Sequence, residues 1–243
     1  MTANTSGQPI DQSTALVTGA SRGLGRAFVE ALLERGATRV YAAARNPDDV
    51  RAWSGDDARV VPVQLDVTDA GSVRAAAAVA TDVDLLVNNA GIADGGSVFA
   101  PDGIDSLRRQ LETNTLGPLL VTRDFAPILE ANGGGSVVNV LSALSWVTMA
   151  ATSGYSASKA AAWSLTNATR GELAAQGTRV VGVHVGYLDT DMAAHVDGPK
   201  TDPAVLVAQV LDAVEAGQDE VLGDDLSRGV KAALSGPVRQ LSA

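Results

Sequence analysis

Ala15-Leu16-Val17-Thr18 runs without a break into Gly19-Ala20-Ser21-Arg22-Gly23-Leu24-Gly25, and a segment of helical period continues to Arg35. A short apolar run that stops at glycine reads as a buried strand. A strand, a glycine turn and a helix in that order open a parallel sheet. The three glycines permit a tight turn, a close approach of the backbone to a pyrophosphate, and close packing of helix on strand. The first helical turn then offers unpaired N–H groups and the positive end of the helix dipole. A glycine-rich stretch can be nothing more than a turn; its place between strand and helix favours a nucleotide site.

Outward from this unit the pattern repeats. Arg39–Ala43, Val60–Leu65, Leu85–Val87, Ser136–Leu141 and Val180–Val185 are short and rich in β-branched residues, and most end at Gly, Asn, Asp or Ser. Helical candidates lie between them at Ser72–Ala80, Ile104–Leu129, Tyr155–Ala175 and Pro203–Ala216. Val221–Leu222 adds an edge strand, and a last helix covers Leu226–Leu234. The alternation predicts a doubly wound α/β sandwich, a mostly parallel sheet of about seven strands with helices on both faces. The Gly133–Gly135 triplet reads as a tight connection, so residues 1–243 form one domain, with 1–12 as a flexible start.

Composition narrows the function. A net charge of −10 repels phosphate backbones and anionic lipid surfaces, so neither nucleic acid nor membrane is an expected partner. There is no cysteine, which excludes disulfides and thiolate metal sites, and His184 and His195 are too few for a histidine-rich metal centre. Met1–Gln12 lacks the basic and apolar parts of a secretory signal, and no apolar run reaches the ~18 residues that span a bilayer. A cytoplasmic protein is expected.

The glycine spacing is Gly-x-x-x-Gly-x-Gly with Thr18 ahead of it, and in this it resembles the short-chain dehydrogenase/reductase family. Charge speaks to the dinucleotide. An acid about 20 residues past the glycines would bond the ribose 2′-hydroxyl of NAD. Here Arg45 stands 20 residues beyond Gly25, at the end of Ala42-Ala43-Ala44-Arg45. Arg45 and Arg22 together suit a 2′-phosphate, which points to NADP(H); as a plain alternative, both are solvated surface arginines. Asp66-Val67 and Asn88-Asn89-Ala90-Gly91 follow the third and fourth strands, where open parallel sheets bind ligands. The resemblance places Asp66 and Val67 beside the adenine, and Asn88, Ala90 and Gly91 at the sheet and the cofactor ribose.

Tyr155 and Lys159 are four apart in a helical segment, so both project from one face. A phenol with a pKa near ~10 is a poor acid or base at neutral pH, and a nearby ammonium draws it toward the working range. A tyrosine four residues before a lysine is common on its own. Ser142 lies 13 residues upstream, just past a strand, where a hydroxyl can share the negative charge of a carbonyl oxygen. The order of glycine turn, Asn-Asn-Ala-Gly, Asn114, Ser142 and Tyr155-x-x-x-Lys159 is similar to the family's main single-domain branch, over roughly Thr14 to Met192. The resemblance implies a catalytic set of Ser142, Tyr155, Lys159 and Asn114, the last holding a water that passes protons to the lysine. It also implies cofactor contacts at Gly19, Ser21, Arg22, Gly23, Leu24, Gly25, Tyr155, Lys159, Gly186, Leu188 and Thr190. The family's usual Pro-Gly after the sixth strand is Val185-Gly186 here, which predicts a looser loop.

These readings imply an NADPH-dependent reductase of small ketones or aldehydes, running backwards as an alcohol dehydrogenase. By analogy the substrate pocket is walled by Leu144, Trp146, Met149 and Tyr187, an apolar lining that suits a hydrophobic or aromatic ketone; each of these is equally read as ordinary core. Two rivals remain, a non-catalytic NADP(H)-binding sensor or scaffold and a dehalogenase-like relative. Lys159 and the intact Gly19, Gly23 and Gly25 disfavour the second, and the joint presence of Ser142, Tyr155, Lys159 and Asn114 disfavours the first. Relatives pair through helices matching Ile104–Leu129 and Tyr155–Ala175, so a homodimer or homotetramer is expected.

Overall fold

β1 (Thr14–Thr18), β2 (Arg39–Ala44), β3 (Val60–Gln64), β4 (Leu85–Asn88), β5 (Gly135–Val140), β6 (Thr178–His184) and β7 (Glu220–Leu222) form one seven-stranded sheet in the computed structural model, which describes residues 7–94 and 96–237. Their order is β3-β2-β1-β4-β5-β6-β7, and every neighbouring pair is parallel. The helices are α1 (Gly23–Glu34), α2 (Asp48–Ser54), α3 (Ala70–Val79), α4 (Gly103–Leu111), α5 (Gly117–Ala131), α6 (Ser153–Leu173), α7 (Pro203–Glu215) and α8 (Asp225–Ala232). The chain moves one way from β1 to β3, then returns to lay β4 on the other side of β1. Beyond the carboxyl ends of β1 and β4 this reversal opens a crevice.

Alternation along β1 builds the two cores. Ala15 and Val17 face a cluster with Phe28, Val29 and Leu32 of α1 and Leu206, Val210 and Leu211 of α7. Leu16, between them, faces the opposite cluster with Val73 of α3 and Val121, Phe125 and Leu129 of α5. A two-residue period sends neighbours to opposite faces, so helices must cover both sides.

The expected doubly wound sandwich is the observed fold, with three local differences. α2 was not anticipated; it is seven residues long and buries only Val50. The long helix expected over Ile104–Leu129 is broken at a π-helical turn, Glu112–Leu116, before α5 begins. There Gly117 lies so close to β3's continuation that an added Cβ would sit 2.8 Å from Val67 Cγ2. Finally, Gly7–Gln12 is not loose: Ile10 is fully buried, and Gln8 Nε2 donates to the Asp84 carbonyl and carboxylate at 3.1 Å each. The rest of the expected flexible start, residues 1–6, lies outside the described residues. Among the described residues no helix is long and apolar enough to cross a membrane, and no group of three or more His, Asp or Glu is placed to hold a metal ion.

Candidate active site

Thr18 ends β1 and stitches the crevice together. Its Oγ1 donates to the Val87 carbonyl at 3.3 Å and accepts the amides of Asn89 and Ala90 at 3.0 Å each. Asn89 Nδ2 returns bonds to the carbonyls of Thr18 (2.9 Å) and Gly19 (3.3 Å). The glycine turn is therefore fixed against the segment after β4. Gly19 (φ 67°) and Gly23 (φ 53°) hold left-handed conformations that side chains resist. A Cβ on Gly25 would come 2.7 Å from Asn89 Nδ2 and collide with the Gly19 carbonyl. No side chain caps α1, so its first amides are left for a ligand. These residues fit a dinucleotide pyrophosphate.

Arg22 and Arg45 are both exposed beside this turn. Arg22 Nη1 lies 3.2 Å from Asp191 Oδ2, with both side chains 77% exposed, a pairing weak enough for a phosphate to displace. Asp66 is held below the usual carboxylate range by hydrogen bonds from the Thr68 amide and hydroxyl, and the charge of Arg45 adds to this. Arg45 thus stands near Asp66. The Asn88 side chain supports the sheet, one part of its expected role: it is buried, with Nδ2 donating to Thr122 Oγ1 (3.0 Å) and Asn139 Oδ1 (2.9 Å). Its side chain holds the sheet to α5.

The crevice floor leads on to the lysine. A Cβ on Gly91 would sit 3.2 Å from Asn114 Oδ1 and 3.8 Å from Lys159 Nζ, so only glycine leaves this passage open. Lys159 is 5% exposed, and its Nζ donates to the Val140 carbonyl at 2.8 Å and lies 5.8 Å from the centre of the Tyr155 ring. The helix does bring phenol and amine to one face. The electrostatic expectation needs correction. Burial pushes Tyr155 up to about 12, against a Ser142 hydrogen bond that pulls it down. Burial also pushes Lys159 down to about 8, because a charged ammonium loses its water there. Desolvation, opposed by the Ser142 hydrogen bond, sets the direction for the phenol.

Ser142 follows β5 and is buried. Its Oγ accepts the Leu144 amide at 3.1 Å, and Ser145 Oγ accepts the Ser142 amide at 3.3 Å, a reciprocal cap for the short turn Ala143–Ser145. Asn114 sits in the π-helical turn, 1% exposed. Its side chain is fully used: Oδ1 accepts the Ile92 amide (2.8 Å), and Nδ2 donates to the Ile92 carbonyl (2.9 Å) and Ser158 Oγ (3.0 Å). Its backbone carbonyl lacks the usual α-helical donor, because residue 118 is a proline without N–H. A cavity of about 20 Å³, room for one water, lies against Asn114, Asn88 and Thr122.

The loop after β6 is firmer than the missing proline predicts. Gly186 N–H donates to Asp224 Oδ2 at 2.7 Å, and Asp224 Oδ1 accepts the Ser227 amide at 2.7 Å, capping α8. Leu188 bridges to Thr201, and the Thr190 methyl lies 3.5 Å from where a Gly23 side chain would begin. A carboxylate anchor replaces the proline's restraint. Asp224→Ala should raise KM for NADPH roughly five- to tenfold and lower stability by about 1 kcal/mol through the lost cap. Steady-state kinetics and thermal melts check this; an unchanged KM would show that the anchor is dispensable.

The expected pocket wall divides. Leu144 and Trp146 line a cavity of about 270 Å³ with Ser153, Ser156, Ala157 and Ala160, positions that the helical period sets on a different side of α6 from Tyr155 and Lys159. The Trp146 ring stacks on His184 with centroids 3.7 Å apart and meets Trp163 edge-on at 6.2 Å. One face of the ring is taken by that stack, as its alternative reading as core has it, while Trp146 also lines the cavity. Met149 is half-buried before the turn Ala150–Thr152, and Tyr187 is 38% exposed on the loop after β6. Thr18, Asn89, Ser158 and Asp224 were not among the expected site residues.

A family model described as short chain dehydrogenase matches residues 13–200. The cis-4-hydroxycyclohexanecarboxylate dehydrogenase of Sinomonas cyclohexanicum is 39% identical over 194 residues, 77% of this chain and 78% of that protein. The NADP-dependent 3-hydroxy acid dehydrogenase of Schizosaccharomyces pombe is 27% identical, spanning 89% of this chain and 92% of its own. A short chain dehydrogenase from Burkholderia cenocepacia J2315, solved in complex with NADP, superposes with a TM-score of 0.91 at 40% identity, covering 96% of this chain and 97% of that one. The glycine cradle, the Asn-Asn-Ala-Gly segment and the serine–tyrosine–lysine set thus sit in a matched sequence and a matched fold, and the chain belongs to the short chain dehydrogenase family of oxidoreductases.

Proposed function

We propose that the protein is an NADPH-dependent reductase of small, largely apolar ketones and aldehydes, able to run in reverse on the secondary alcohol. The observation that carries this is the convergence of Ser142, Tyr155 and Lys159 at the end of a crevice whose opposite end is the glycine turn. Bound NADPH supplies the hydride that reaches the carbonyl carbon. Ser142 donates a hydrogen bond to the carbonyl oxygen and stabilises its growing charge. Tyr155, kept protonated by burial, gives its proton to that oxygen. Lys159 holds the ribose hydroxyls and hands a proton back to the phenolate, and the Asn114 carbonyl holds the water that resupplies it.

Cofactor preference follows from Arg22 and Arg45 beside the ribose end of the turn, and the NADP bound to the Burkholderia relative agrees with it. Arg45→Ala should reduce the kcat/KM preference for NADPH over NADH by roughly tenfold or more, since a charge-assisted contact contributes about 1.5–3 kcal/mol. An unaltered ratio would remove Arg45 from cofactor choice. The named substrate of the Sinomonas relative, a ring-borne secondary alcohol, makes cyclohexanone-type ketones the first compounds to try. Exposed Tyr187 and Met192 on the loop after β6 give that side an apolar surface. A ketone panel followed at the NADPH absorbance band tests the reading: turnover of cyclic or aromatic ketones supports it, and preference for polyanionic substrates overturns the apolar assignment. On the same reading the chain pairs with further copies of itself through α4, α5 and α6, as a dimer or tetramer, and works in the cytoplasm.

A further inference from the structure

His184, the last residue of β6, belongs neither to the glycine cradle nor to the proton-bearing set, yet it is fully buried behind Ser142. Its Nδ1 lies 3.0 Å from the Ser142 carbonyl oxygen. A carbonyl only accepts, so Nδ1 carries the hydrogen and Nε2 the lone pair. The same oxygen accepts the Ser145 amide at 3.0 Å. Two donors from different elements therefore hold this oxygen, and at the other end of the same peptide the Ala143 amide donates to the Val185 carbonyl at 3.0 Å. Turning that peptide plane would pull the Ala143 amide off the Val185 carbonyl, the same oxygen that accepts the Ser142 hydroxyl at 3.4 Å, so the hydroxyl's setting is tied to the plane.

Stability alone does not explain the imidazole. Its Nε2 is buried with no hydrogen-bond partner, 3.8 Å from Glu220 Oε1, while the other oxygen of that carboxylate pairs with Lys231. Leaving such an atom unmatched costs about 1–3 kcal/mol, which an aliphatic side chain of similar size would avoid. The Trp146 ring stacks on the imidazole at 3.7 Å and 17°, so it cannot rotate to find another partner. What the ring supplies is one aimed donor.

We propose that His184 is a positioning residue for the reaction: its Nδ1–H locks the carbonyl of Ser142 and so aims the Ser142 hydroxyl at the substrate oxygen. The proposal rests on the reading of Ser142 as the group that orients the carbonyl. His184→Leu keeps a buried side chain of similar volume but removes the donor. His184→Asn places an amide nitrogen where Nδ1 stands and restores it.

The test uses the full chain in five forms: wild type, His184→Leu, His184→Asn, Ser142→Ala, and the Ser142→Ala/His184→Leu double variant. His184→Leu should lower kcat for an accepted ketone roughly tenfold with KM for NADPH within twofold, as expected for a displaced catalytic group. His184→Asn should recover most of that loss. The double variant should be no slower than Ser142→Ala, because His184 acts only through the serine. Losses that multiply in the double variant, or a His184→Asn enzyme as slow as His184→Leu, overturn the proposal. If His184→Leu yields no folded protein, His184→Gln, whose amide lies one bond too far out, takes its place in the same cycle. Amide exchange at Leu144, which donates to Ser142 Oγ, is read without cofactor or ketone. It should quicken in His184→Leu and slow again in His184→Asn; unchanged exchange overturns the proposal whatever the turnover. If exchange responds this way in a protein that reduces no ketone, the positioning role stands and the proposed function falls.

Discussion

Tyr155→Phe should lower kcat for ketone reduction by roughly 10³-fold and leave NADPH affinity within a few-fold. The substitution removes one oxygen and no packing volume, so the ring still fills its place above Lys159. What is lost is the proton that neutralises the developing alkoxide, with Ser142 still in place to orient the carbonyl. Burial sets the pH behaviour of the intact enzyme. With Tyr155 pushed up to about 12, the phenol is protonated throughout the neutral range, so reduction is not limited by its ionisation. Lys159, pushed down to about 8, is charged below that pH and neutral above it. Reduction should therefore be level up to about pH 8 and fall above it, while alcohol oxidation, which needs the phenolate, should keep rising with pH. Steady-state kcat over a pH series for both proteins, in both directions, checks this. A Tyr155→Phe enzyme with near-native kcat would place the proton donor elsewhere.

Gly25→Ala should weaken NADPH binding by roughly 100-fold or more. The added methyl meets the Gly19 carbonyl and stands 2.7 Å from Asn89 Nδ2, atoms that also hold the turn to the segment after β4. To accept it, α1 must move away from β1, and its first amides then leave the position from which they bind phosphate. Breaking two charge-assisted hydrogen bonds, at about 1.5 kcal/mol each, is enough to give that factor. Fluorescence titration with NADPH measures it, with thermal melting to show that the fold persists. Wild-type affinity in a folded Gly25→Ala protein would mean that the pyrophosphate does not rest on this turn.

The parts legible in the sequence are those in which one local pattern has one physical meaning. Apolar runs ending in glycine could only be buried strands of a covered sheet, and the four-residue spacing of Tyr155 and Lys159 by itself puts both on one helix face. The other parts depend on distant segments meeting. Gly117 and Pro118 after Asn114 signal a break in the helix, since the proline cannot donate to the Asn114 carbonyl, but the form of the turn becomes intelligible only when Gly117 is seen against Val67. Asp224 lies 38 residues from Gly186, so its anchoring of that loop has no local trace. Trp146 reads as a pocket wall by analogy or as core, and only the fold shows that His184 and Trp163, farther along the chain, draw its ring into a stack. α2 is the exception, because Pro47 followed by Asp48 and Asp49 is a helix-start signal present in the sequence itself. The phenol's ionisation departs from expectation for a similar reason: spacing reveals the neighbouring charge, but only the fold reveals how much water both groups lose.

Isotope transfer tests the central claim most directly. NADPH carrying deuterium at C4 of the nicotinamide, prepared separately for each face, is incubated with the enzyme and a cyclic ketone, and the alcohol is examined by mass spectrometry and NMR. The label from one face should appear at the carbinol carbon, and the label from the other should remain on the nucleotide. Alcohol free of deuterium from both preparations, or label released into water, would contradict hydride transfer in this crevice.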